Sequence, residues 1–363
     1  MELGLYTFGD LDTRPNAERV DPGRRLREVV ERAVLAEQVG LDHVGIGEHH
    51  RPDYAISAPS VVVAAILAST QRITVGSAVT VLSTEDPVRV YQEFATMDQM
   101  SGGRVELLAG RGSFVESFPL FGASLEDYDA LFAEKLDLLL RIDAGNPVTW
   151  SGRFRPGLTD AVVLPRPVDK PGLGEHLRIA VATGGSPASS RRTGALGLPV
   201  EYAVIGGQPR RFAPLVALYR EAYAEAGHPP GGDRVGVSGQ GFLAETDEAA
   251  RERFYPYWLA SAATIAAERG FAMPNRISFE AQAQGHGAFF VGAPQSVAER
   301  IVRLHGELRH DRQSFQMDLS GVPHADSMRA IELLGRVKEL VDAEVDSGQD
   351  AGPFPGRGPA VGE

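Results

Sequence analysis

The sequence predicts an α/β protein closed as a (β/α)8 TIM barrel, with insertions before strand five and after strand seven, on three observations. Short apolar runs alternate with longer amphipathic ones, the signature of repeated βα units around a parallel sheet. The length of 363 residues suits one large barrel, which takes about 250 residues before insertions. No shift in composition marks a second domain, which leaves a doubly wound open sheet as the weaker alternative.

In chain order, strands are expected at 2–8, 43–47, 73–79, 105–109, 177–182, 200–205, 235–243 and 314–319. Helical periodicity is clearest at 24–39, 59–70, 88–100, 125–142, 212–226, 247–269, 295–308 and 327–343. Pro59, Pro87 and Pro294 each fall where a first helical turn begins, a position where the missing N–H costs nothing. Residues 143–175 carry several Gly and Pro around Trp150 and Phe154 and read as a loop with a small hairpin. Residues 270–292, rich in Gly, Gln and Phe, read as a connection between two helices and a candidate lid. Residues 1–345 are expected to form a single catalytic domain, and the Gly/Pro-rich segment 346–363 a mobile tail.

Composition narrows the function. With 43% hydrophobic and 23% charged residues the chain can bury a large core. A formal charge of -12 and an isoelectric point near 5.3 argue against nucleic acid, whose phosphates need a basic surface. The absence of cysteine excludes disulfides, thiolate metal sites and a cysteine nucleophile. The first eight residues lack the basic start of a signal peptide and are too short to span a membrane, so the cytoplasm is the expected location.

Four clusters at strand ends carry the chemistry. Strand two stops abruptly in Glu48, His49, His50 and Arg51, and ionisable groups at the carboxyl end of a barrel strand are where such proteins act. Neighbouring residues on a strand point to opposite faces, so one histidine is expected at the mouth and the other behind it. The plain alternative is a pair of structural histidines. No metal is expected, because no helical His-x-x-x-His spacing accompanies them.

The β-branched third strand leaves through Gly76, Ser77 and Ala78, small residues that let a planar ring approach the backbone. Strand four ends in Gly110-Arg111-Gly112, where a guanidinium flanked by glycines suits a phosphate or other oxyanion. Strand five leads through Gly184-Gly185-Ser186-Pro187 into a helix, either a phosphate site or an ordinary helix cap. Neither a Walker motif nor a Gly-x-Gly-x-x-Gly fingerprint opens a βαβ unit, which disfavours ATP and dinucleotides.

Taken in order, Gly47-Glu48-His49-His50, Arg72-Ile73-Thr74-Val75-Gly76-Ser77-Ala78-Val79, Asp86-Pro87-Val88-Arg89, Asp98-Gln99-Met100-Ser101-Gly102-Gly103-Arg104 and Gly110-Arg111-Gly112 resemble the bacterial luciferase-like family of flavin-dependent oxidoreductases. Gly184-Gly185-Ser186 and Phe290-Val291-Gly292-Ala293-Pro294 extend the similarity through most of the barrel. The resemblance implies FMN at the carboxyl ends of the strands, with His49 as the base near the flavin and Arg111 on its phosphate. It places the family's non-proline cis peptide at Ala78-Val79, where Val79 departs from the usual alanine, and puts Gly110 where luciferase has a reactive cysteine.

The resemblance further implies a monooxygenase of two components. Reduced FMN arrives from a separate reductase, O2 adds to give a C4a-peroxyflavin, and oxygen passes to a small organic substrate. His49 would handle a proton with Glu48 fixing its tautomer, and Phe8, Phe114, Phe289 and Phe290 would wall the site. A homodimer is implied. Two alternatives stay open: a deazaflavin-dependent reductase that transfers hydride, and a flavin-binding protein without turnover.

Overall fold

The structure, a computed structural model, describes residues 1–345 apart from 13, 15, 16, 18, 19 and 113; the tail at 346–363 lies outside the described residues. Eight strands form the barrel: β1 (Glu2–Thr7), β2 (His43–Ile46), β3 (Thr74–Ser77), β4 (Val105–Gly110), β5 (Arg178–Thr183), β6 (Val200–Val204), β7 (Val235–Leu243) and β8 (Arg312–Gln316). Each pairs in parallel with the next, and β8 returns to β1 with Gln313 opposite Leu3. The ring is closed, as the alternation of elements predicts.

Among the described residues ten helices of two turns or more accompany the strands, besides a single turn at Ser117–Leu120: α1 (Pro22–Gln38), α2 (Pro59–Ser69), α3 (Pro87–Ser101), α4 (Tyr128–Ala144), α5 (Pro187–Ala195), α6 (Ala213–Glu225), α7 (Asp247–Arg269), α8 (Arg276–Ala283), α9 (Pro294–Leu308) and α10 (His324–Val345). Their starts match the sequence signals. Asp86 caps α3 by accepting from the N–H groups of Val88 and Arg89, with Pro87 in the first turn, and Gly102 ends the helix in the left-handed conformation. Among the described residues no helix is long and apolar enough to cross a membrane.

Three expectations change. Strand eight begins at Arg312, two residues early, and stops at Gln316, because Leu319–Gly321 turns as a short 3-10 helix. Strand three stops at Ser77; after the cis Ala78–Val79 peptide, Thr80–Val81 resumes pairing along Ala109 and Gly110. Residues 270–292 are a packed insertion rather than a bare connection. They hold α8 and a strand, Phe290–Gly292, paired with the far end of β7, and Phe279 and Phe289 are buried beside Trp258. The hairpin expected within 143–175 is present as Val148–Trp150 against Leu158–Ala161.

The amino-terminal end of the barrel is plugged by charge. Arg312 donates from Nη1 and Nη2 to Glu106 at 2.6 and 3.0 Å, and from Nε to Glu2 at 2.7 Å. Glu201 is buried in the same layer, over Gly236, where a Cβ would lie 2.2 Å from its Oε2. A buried ion keeps its charge only when others compensate it, and the Arg312 pairing holds Glu106 down at about 2 despite burial. For Glu201, burial outweighs the pull of Arg312 and a hydrogen bond with Ser238 and pushes the carboxyl up to about 7. With this end filled, the carboxyl mouth is the open face.

Candidate active site

Strand β2 reaches the mouth through Gly47, where a Cβ would lie 2.3 Å from the Phe8 ring and 2.5 Å from the Ala78 carbonyl oxygen. The glycine therefore lets the ends of β1, β2 and β3 converge. His49 lands inside an aromatic box: stacked on Phe8 at 4.3 Å, edge-on to Phe114 at 4.6 Å, and 4.5 Å from Tyr54. Burial, followed by the charges of Arg51 and His50, pushes its pKa down to about 3. The imidazole is neutral at physiological pH and can take or relay a proton.

Glu48 does not reach His49. One of its oxygens accepts from the Val81 N–H at 2.6 Å, and the other lies 3.6 Å from Nε2 of His50. The expectation that Glu48 fixes the tautomer of His49 is corrected by these contacts: just past the end of β2 the carboxylate turns to Val81 and His50, while His49 enters the aromatic box. The carboxylate raises the pKa of His50, whose ring meets Phe121 edge-on at 5.3 Å. Glu48 thus ties the β2 exit to the chain beyond β3.

The Ala78–Val79 peptide is cis. A Cβ at Gly110 would lie 2.5 Å from Cγ2 of Val79. Val79 and Gly110 are therefore packed against each other, the valine branch filling the space a side chain at 110 would need. Phe8 and Phe114 line the mouth as expected; Phe289 and Phe290 do not. They pack against Trp258 and Phe315, where the insertion buries them.

On the far side of the mouth, Arg111 leaves β4, pairs with Asp129 of α4 and lies 5.2 Å over the Tyr128 ring. The Tyr128 hydroxyl donates to the Gly112 carbonyl at 2.5 Å. On the next strand, β5, Gly185 takes a φ of 103° and Ser186 caps α5 by accepting from the Ser189 N–H at 3.2 Å. A Cβ at Gly184 would meet nothing within 4 Å. Arg111 and Gly184-Gly185-Ser186 therefore stand on neighbouring strands beside open space.

Two residues, Arg192 and Asp10, were missed in the sequence, and Arg51, named there beside the histidines, proves to hold the rim together. Arg192 of α5 has buried Nε and Nη2 atoms without a hydrogen-bond partner among the described residues. Asp10 is buried at the exit of β1, accepting from Gln316 at 3.1 Å and from the Ser320 N–H at 3.0 Å. Arg51 bridges Asp53 at 3.1 Å, Glu116 at 2.9 Å and Glu268 of α7. Asp10, Arg51, Tyr54, Phe114 and Ile265 line a narrow cleft with room for little more than a water molecule. Asp10 does follow the first strand closely; Arg192 gave only a charged helix. Among the described residues no group of three or more acidic or histidine side chains is placed to hold a metal ion.

A closed parallel barrel whose histidine, arginine and glycine-rich turns gather at the carboxyl mouth has the layout of a barrel enzyme. The profile of the luciferase-like monooxygenases matches residues 1–310, and the chain belongs to that family. It is 32% identical over 187 residues to 4-hydroxyprotoasukamycin monooxygenase of Streptomyces nodosus subsp. asukaensis, covering 51% of this chain and 49% of that protein. The chain thus spans about half the length of that curated relative. Among solved structures it is similar to the monooxygenase RslO1 from Streptomyces bottropensis, with a TM-score of 0.78 and 26% identity over 92% of this chain and 98% of the other. The oxygenating constituent of 3,6-diketocamphane monooxygenase of Pseudomonas putida, solved with FMN, shares the fold at a TM-score of 0.73 and 20% identity, covering 94% and 98% of the two chains.

Proposed function

We propose that this chain is an FMN-dependent monooxygenase that uses reduced FMN and O2 to oxygenate a small organic substrate. The observation that carries the reading is a neutral imidazole, His49, enclosed by three aromatic rings on one side of a mouth whose other side offers an arginine and a glycine-opened helix start. The residues fit the cofactor. Arg111 and the turn Gly184-Gly185-Ser186 would hold its phosphate, and Ala78, Val79 and the side-chain-free Gly110 would back its ring. When bound, reduced FMN supplies the electrons that activate O2.

The chain's own part is binding, water exclusion and proton control. Phe8, Tyr54 and Phe114 surround the His49 ring, and a neutral imidazole there accepts a proton from substrate or cofactor and returns it. Glu48 is a positioning residue that fixes the β2 exit through Val81. Reduced FMN comes from a separate reductase, and the chain works as a homodimer. Both parts of this reading rest on the family.

The test is anaerobic titration with reduced FMN, then rapid mixing with O2 while flavin absorbance is followed. Retarded, protein-dependent reoxidation supports the reading. Reoxidation at the rate of free flavin, together with tight binding of a reduced deazaflavin, overturns it in favour of hydride transfer. Failure to bind either would leave the fold without this activity.

A further inference from the structure

The three rings around His49 are not held equally well. Phe8 follows β1 directly, and Tyr54 belongs to a stretch laddered onto that exit: the Leu11 N–H donates to the Asp53 carbonyl at 2.9 Å and the Ala55 N–H to the Gly9 carbonyl at 2.9 Å. Phe114 has no such ladder. It lies between β4 and the single turn Ser117–Leu120, in a stretch without regular structure. What fixes it is a side chain from another strand exit. The Arg51 guanidinium lies 4.9 Å over the Phe114 ring and donates from Nη1 to Glu116, two residues further on, at 2.9 Å.

The same guanidinium reaches two more segments. Its Nε donates to Asp53, the neighbour of Tyr54, at 3.1 Å, and its Nη1 to Glu268, near the end of α7, at 3.0 Å. With a second bond to Glu268 from Nη2, four of its five N–H donors go to carboxylates. A planar fork meets several carboxylates at fixed angles, whereas an ammonium is a point charge on a flexible stem.

We infer that Arg51 is a positioning residue for His49: by holding Asp53, Glu116 and Glu268 in one fork it sets the Phe114 ring edge-on against the imidazole and completes the box in which His49 works. The inference rests on the proposed flavin function for what His49 does there, and names the side chain on which its surroundings depend. Few groups bear on that ring. Arg51 and His50 oppose a proton on it by charge, the Tyr54 phenol is kept protonated by burial, and Phe8 and Phe114 are uncharged. Burial is the largest effect, and it is the one that an opened box removes.

Fork and charge therefore predict opposite results. The experiment is NMR titration of the assigned His49 imidazole between about pH 4 and 8 in the full chain without flavin, for the unmodified protein, Arg51→Lys, and the double variant Glu116→Gln, Glu268→Gln. In the unmodified protein His49 should stay neutral over nearly all of that range, its midpoint lying at about 3. Both variants should bring the midpoint up to about 5 or above, toward the ordinary 6.5, as water reaches the ring. The nuclear Overhauser contact between Phe114 and His49 should weaken in both, while that between Phe8 and His49 persists. Through charge alone the double variant would do the reverse, since it keeps the cation and removes two anions that offset it.

Should the double variant leave His49 neutral and its contact with Phe114 intact, the fork does not build the box and the inference falls, whatever happens to turnover. The double variant decides the matter even where Arg51→Lys fails to fold, because it leaves the arginine in place. Should His49 titrate as expected while reduced FMN reoxidises at the rate of free flavin, the clamp stands and the functional reading fails.

Discussion

Replacing Glu201 by Gln should make the protein more stable above neutral pH and not below pH 5. In the barrel floor Glu201 is fully enclosed, and its pKa stands at about 7 against an ordinary 4.5. Burial is the largest cause; Arg312 pulls the other way, and Glu106 and Glu2 add to the rise. A carboxyl raised on folding binds its proton more tightly in the folded state. Its contribution is therefore present in full below pH 4.5 and is lost as pH climbs through 7.

A shift of that size corresponds to about 3 kcal/mol, at about 1.4 kcal/mol per pKa unit. Glutamine keeps the shape and carries no charge, while Arg312 retains its paired bonds to Glu106. The stability difference between variant and parent should accordingly move by about 3 kcal/mol in favour of the variant between pH 5 and pH 8. Urea unfolding at each unit of pH measures it directly. His43, lowered from 6.5 to about 4, and Glu106, at about 2, are common to both proteins, so their contributions cancel in the difference. A difference that stays constant from pH 5 to 8 would refute the assignment of a buried, proton-holding Glu201.

Other predictions concern the mouth. His49→Ala should fold normally and lose about 100-fold or more in turnover with reduced FMN and O2, measured as product formed per flavin consumed. Glu48→Gln should bring the His50 pKa down toward its ordinary value, visible in an NMR titration of the imidazole protons, because the neighbouring carboxylate holds it up. Gly110→Ala should cost about 1–3 kcal/mol in thermal or urea unfolding through overpacking against Val79. Most of that cost should vanish in the double variant Gly110→Ala, Val79→Ala, since the two side chains compete for one space.

The fold was legible because its signals are local. Prolines at helix starts, apolar runs of strand length and glycines at strand exits each act within a few residues. The mouth was legible for the same reason: Glu48, His49, Ala78, Val79, Arg111 and Gly184 to Ser186 all sit at strand ends. The partner of Glu48 was less legible, because β2 ends at Ile46 and alternation no longer fixes the direction of residues 48 to 50.

What escaped depends on distant partners. Glu106, Glu201 and Arg312 each look like a polar residue in a strand, and nothing local says that residues 206 apart in sequence form one ion pair. Arg312 and Gln313 also disguised the start of strand eight, since a polar opening reads as loop. Arg192 comes directly after Arg191 in a helix and looks like solvated charge. Which of the two points inward depends on where α4 packs.

Arg51 has a consequence for how this barrel can change. Loops after different strands of such barrels are ordinarily separate modules, free to vary one at a time. Here a single side chain draws carboxylates from the β2 exit, the β4 exit and the end of α7, with Phe114 beneath it at 4.9 Å. Exchanging any one of these segments for a foreign loop removes one carboxylate of three and loosens its grip on the other two. The rim behaves as one component, and a graft that reshapes substrate choice has to carry an acidic residue into the same place.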